Sequence, residues 1–137
     1  MPERINHLAV FAAAIAYFIL GWIWYSLLFQ SQWLALVGKS MGASAPLPTL
    51  LIESFILGLV LSYATAIALS RRPEDLSVGQ GVSFALFMGI AIYGSQTLNN
   101  ALFESRPIAL WVIDTGYVLI GFAIIGAIVG GWRRKTA

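Results

Sequence analysis

Four apolar runs, Leu8 to Phe29, Leu50 to Leu69, Val78 to Leu98 and Ile108 to Trp132, dominate this chain and leave little else to fold. Each approaches or exceeds the ~20 residues that carry a helix across a ~30 Å hydrocarbon core. Backbone groups in lipid must be satisfied within their own segment, and no run alternates as barrel strands do, so the runs predict helices. The first run follows Arg4 as a signal peptide would, but it continues to Phe29, far beyond a 7–15-residue apolar region, and is expected to be a retained helix. The predicted fold is all-α: a polytopic membrane protein with four transmembrane helices in a bundle. One transmembrane domain, residues 1–137, would hold helices at about 5–29, 50–70, 78–99 and 107–132. The loop 30–49 has room for a short interfacial helix before the "PLP" breaker, with Thr49 as N-cap of the second helix.

Composition supports the membrane assignment and narrows the chemistry. Of 137 residues, 59% are hydrophobic and 10% charged, and the mean hydropathy is +0.83, whereas soluble domains carry about 25% charge. Cysteine is absent, which excludes disulfides, thiolate metal sites and cysteine nucleophiles. A single histidine, His7, excludes an all-imidazole metal site within one chain and is read as an interfacial residue. The net charge of +2 comes from a few arginines at segment ends rather than from a basic face, which argues against nucleic acid. With an even number of spans, Arg4, Arg71, Arg72, Arg133, Arg134 and Lys135 share one side against Lys39 and Arg106 on the other, so both termini are expected in the cytoplasm.

Polar residues inside the runs mark the candidate site. At 100° per residue, Gly89, Tyr93, Gln96 and Asn100 fall within an arc of about 60° on the third helix. Asn99, Glu104 and Arg106 are placed in the outer loop, and Asp114 lies about 10 Å deeper than Pro107 on the fourth helix, with Tyr117 nearby. A carboxylate at the middle of a span costs roughly 2.5–3.5 kcal/mol on insertion scales, so Asp114 should face protein, water or a partner rather than lipid. Glu53, near the outer end of the second helix, completes a predicted cluster of Glu53, Tyr93, Gln96, Asn99, Asn100, Glu104, Arg106, Asp114 and Tyr117. Plainer roles account for the same residues: Glu53 complements a helix N-terminus, Glu104 and Arg106 form a solvated pair, and Gln96, Asn100 and Asp114 act as interhelical glue. Trp22, Trp24, Tyr25 and Trp33 read as an aromatic belt at the outer interface. Gly116, Ala123, Gly126, Ala127 and Gly130 form a small-residue packing face that includes a GxxxG match. Because the fourth helix then needs partners on two sides, a homo-oligomer is expected, with the small face or the Asp114 face at the subunit boundary.

The stretches "INHLAVFAAAIAYFILGWIWYSLLFQSQWLALVG" and "LNNALFESRPIALWVIDTGYVLIGFAIIGAIVGGW" resemble the bacterial membrane family known as domain-of-unknown-function family 1761. The likeness covers nearly the whole chain and rests most on Asn6, Gly21, Trp24, Tyr25, Phe29, Trp33, Asn99, Phe103, Arg106, Pro107, Gly116, Tyr117 and Trp132. It implies a small four-span protein of the bacterial inner membrane and no established activity. The family pattern usually has asparagine at the position of Asp114, which implies a hydrogen-bonding role rather than a proton relay.

Two functional readings follow. In one, the outer polar cluster binds or passes a small solute or ion; in the other, the protein is a non-catalytic structural or accessory component acting through oligomerisation or a partner protein. No nucleophile–base pair, metal set or phosphate loop can be assembled, so no enzyme and no cofactor is expected, and the bilayer itself is the first partner.

Overall fold

A computed structural model describes residues 5–37, 47–71 and 77–132, and every described segment of regular structure is helical. The order is α1 (His7–Trp22), a π-helical turn (Ile23–Leu28), α2 (Gln30–Val37), α3 (Leu47–Ser70), α4 (Val78–Met88), a second π-helical turn (Gly89–Gly94), α5 (Ser95–Phe103) and α6 (Ile108–Gly131). Four helical stretches are long and apolar enough to cross a membrane: His7–Leu28, Leu51–Ser70, Val78–Phe103 and Ile108–Gly131, here spans one to four. The chain is therefore a multi-pass membrane protein. Of the charges from which orientation is argued, Arg4, Lys39, Arg72, Arg133, Arg134 and Lys135 lie outside the described residues.

Local chemistry sets the helix ends. The Asn6 side chain accepts from the Leu8 and Ala9 amides, at 3.1 and 3.3 Å, as an N-cap should. Its own amide donates to the Trp132 carbonyl at 3.1 Å, tying the start of span one to the end of span four. Ser77 and Gln80 form a reciprocal capping box at the start of span three. Thr49 is not a cap: α3 begins at Leu47 and takes Pro48 into its first turn, where a missing N–H leaves no helical bond unmade. Span three runs past the expected end at residue 99 to Phe103. There Ser105, at φ 55°, turns the chain, with Arg106 N–H bonded to Ala101 O and Ser105 N–H to Leu102 O. This is the Schellman arrangement that closes a helix and satisfies its last carbonyls.

Span four is the hub. It packs along span three, span one and span two, while spans two and three barely touch each other. The tight core lies at the end of the bundle that carries Ile5 and Trp132, where Ile5, Val10, Ala13, Ala66, Leu69, Ile125 and Val129 are buried together. Gly81 of span three sits against Gly126 and Gly130 of span four, so close that a Cβ on Gly126 would stand 2.8 Å from Ala85 Cβ. The GxxxG pair is thus covered within one chain. Of the two faces expected at a subunit boundary, the small one has Gly126 and Gly130 packed against helix three within the chain, where backbone approach is closest. The remaining members of the expected face diverge. Gly116 lies under the Trp24 ring, and Ala123 and Ala127 line a shallow apolar groove on the surface.

Candidate functional site

The opposite end of the bundle is looser and more polar, and the two π turns lie toward it. A π turn accommodates one extra residue, which rotates everything beyond it relative to an α-helix and recurs at functional sites. In span one the turn closes with Phe29 N–H on the Trp24 carbonyl at 2.9 Å. It swings Trp24 and Tyr25 inward: Trp24 Nε1–H donates to the Ile113 carbonyl at 3.0 Å, and the Tyr25 hydroxyl donates to Asp114 Oδ1 at 2.7 Å. Tyr25 also meets Tyr117 edge-on at 5.3 Å, and Tyr117 stacks on Tyr17 at 4.8 Å. The predicted aromatic belt is therefore divided, since Trp22 remains 58% exposed while Trp24 and Tyr25 are half-buried links to span four.

In span three the π turn over Gly89–Gly94 breaks the 100° period on which the predicted polar arc rested. Tyr93 still faces inward, but its partner is Thr97, whose hydroxyl donates to the Tyr93 carbonyl at 2.7 Å and accepts from Trp111 Nε1–H at 3.0 Å. A cavity of about 220 Å³ opens here, walled by Tyr93, Thr97, Asn100 and Glu104 of span three and its end, Arg106, and Trp111, Asp114 and Thr115 of span four. Glu104 and Arg106 pair at 2.8 Å, both more than half exposed, an arrangement worth at most about 1 kcal/mol in water. Asp114 Oδ2 has no protein partner among the described residues. Thr115 is only 5% exposed, and its buried hydroxyl has no hydrogen-bond partner either. An unpaired buried hydroxyl costs roughly 1–3 kcal/mol.

Five of the nine residues predicted to cluster, Tyr93, Asn100, Glu104, Arg106 and Asp114, line this one cavity. Gln96 instead lines a neighbouring apolar crevice, and Tyr117 packs among tyrosines of span one. Asn99 lies within α5, not in a loop, and is exposed off the cavity wall. Glu53 is exposed on α3 away from it. Thr97, Trp111 and Thr115 went unread; only their spacing from Tyr93 and their adjacency to Asp114 signalled them. His7, at the other end, bonds the Tyr63 hydroxyl through Nδ1 at 2.8 Å. Among the described residues, no three His, Asp or Glu side chains gather closely enough to hold a metal ion.

The comparisons with known proteins agree with the bundle. No curated protein and no solved structure matches the chain. The family described as protein of unknown function, DUF1761, matches residues 8–130, the whole four-span body with both π turns and every wall of the cavity, and the chain belongs to that family.

Proposed function

We propose that this protein is a non-catalytic component of the bacterial inner membrane that binds a small polar or ionic ligand in the cavity between spans three and four. The observation that carries this reading is a polar cavity wall in which Asp114 keeps one carboxyl oxygen without a partner among the described residues, inside a membrane-length bundle. Intramembrane acids are costly and usually mark a binding or transport path. With both termini in the cytoplasm, as the arginine distribution suggests, the cavity opens toward the outer face. Trp111 in the wall supplies a signal. Titrating purified protein with water-soluble amines, alkali cations and small anions should produce a saturable change in tryptophan emission for one class, absent from Asp114→Asn. A wild-type protein silent to all three would defeat the proposal.

The second reading is a structural or accessory role through self-association. It is favoured by the groove of about 380 Å³ lined by Leu86, Leu119, Ile120, Ala123, Ile124 and Ala127 on the lipid-facing side. A second copy laid along it would bring small residues together. Native mass spectrometry from nanodiscs should then report a defined homo-oligomer; monomers across mild detergents and nanodiscs alike would dispose of it.

A further inference from the structure

The polar cavity has an apolar neighbour. Along α6, Trp111, Asp114, Thr115, Val118 and Phe122 follow one another at helical spacing on a single stripe. The first three line the polar cavity, and the last two line a second, apolar space of about 550 Å³. On span three the same succession holds: Asn100 and Glu104 belong to the polar space, Ala85 and Met88 to the apolar one, and Tyr93 and Thr97 to both. The two spaces adjoin, with Tyr93 and Thr97 in the walls of both. The apolar stretch exists because spans two and three each pack on span four but barely on each other. At its rim Leu57 is 66% and Ile92 57% exposed, so it opens sideways, where a membrane protein meets hydrocarbon.

We propose that the ligand of these two spaces is an amphiphile: a lipid whose acyl chain lies in the apolar crevice and whose head, bearing a cationic amine, enters the polar cavity. This rests on the ligand-binding reading above and names the ligand class. An apolar space beside a polar one selects an amphiphile, whose chain suits the first and whose head suits the second. Charge selects the head. Glu104 already answers Arg106 at 2.8 Å, leaving Asp114, which accepts from the Tyr25 hydroxyl, as the acid of the wall with no cation against it among the described residues. The rings of Tyr93 and Trp111 stand in the same wall and suit an ammonium group through their π faces.

The test uses the full chain in nanodiscs of equal parts phosphatidylethanolamine and phosphatidylglycerol, with retained lipid identified by native mass spectrometry. Wild type should retain the ethanolamine lipid over the glycerol lipid by at least about fivefold, roughly 1 kcal/mol of preference. Asp114→Asn keeps an oxygen to accept from Tyr25 and should hold lipid without that preference. Ala64→Phe, at an exposed crevice position, should lose retained lipid of both kinds yet still bind free ethanolamine by tryptophan emission. Ethanolamine binding with no lipid preference, and no effect of Ala64→Phe, would overturn the amphiphile while leaving the cavity a solute site. Preference for the glycerol lipid would overturn the assignment of the head. Neither lipid retention nor ethanolamine binding would overturn this proposal and the reading it rests on together.

Discussion

The Asp114 carboxyl shows how one residue can be located by cost and yet be misassigned by neighbourhood. Its expense inside a span correctly requires a polar partner, and the expected partners were on helix three. The partner found is Tyr25 of span one, at 2.7 Å. Nothing in the spacing of residues 25 and 114 signals this bond, because it depends on how two distant helices rotate against each other. Tyr25→Phe removes the donor while keeping the ring against Tyr117 and Trp33. Hydrogen bonds between membrane helices average about 0.6 kcal/mol and reach about 1.7, so unfolding in mixed micelles should show a loss within that interval. An unchanged midpoint would remove this bond from the forces holding span one to span four. The neighbouring Thr115 was overlooked for an ordinary reason: threonine in a helix usually bonds back to a carbonyl one turn earlier, as Thr65 and Thr97 do at 2.9 and 2.7 Å. Only the absence of such a bond makes it notable.

At the scale of elements, existence and length were legible and rotation was not. Hydropathy located all four spans, since an apolar run near 20 residues has few alternatives. The facing of span three was legible only as far as the turn at Gly89–Gly94, because a fixed 100° per residue no longer holds across a π turn. Beyond it Thr97 came inward, Gln96 turned to the apolar crevice, Asn99 took an exposed position and Asn100 an exposed place in the polar cavity wall. The small-residue face of α6 was recognised as a packing device, but the partner of its Gly126 and Gly130 is α4 of the same chain. Its two glycines are not equivalent. A methyl on Gly126 would meet Ala85 Cβ at 2.8 Å and Gly81 O at 2.9 Å, whereas one on Gly130 would find nothing nearer than 3.5 Å. Gly126→Ala should therefore cost about 1–3 kcal/mol by forcing the helices apart. Gly130→Ala should be neutral or stabilising by up to about 1 kcal/mol, because alanine favours the helix. Equal effects of the two substitutions on unfolding midpoints would show that backbone contact at Gly81 does not control this packing.

For the whole molecule, the open question of orientation has a direct assay in a chain with no native cysteine. A single cysteine replacing Ser105 should react with a membrane-impermeant maleimide in intact cells, and one replacing Ala137 only after lysis. The reverse pattern would place the termini outside and turn the cavity toward the cytoplasm. Composition and run length alone determined that this chain is a bundle of four membrane-length helices, because hydrocarbon admits so few ways to satisfy a backbone. They also determined that a carboxylate would sit inside that bundle and need an environment of its own. Only the tertiary structure decided what that environment is: span four at the hub, spans two and three held apart, and a polar cavity beside an apolar crevice. Such features follow from the relative rotation and spacing of whole helices, set at once by π turns, by glycine approaches such as Gly81 to Gly126, and by rings such as Tyr17 seated against Gly121. Those contacts join residues far apart in the chain, so no local pattern carries them.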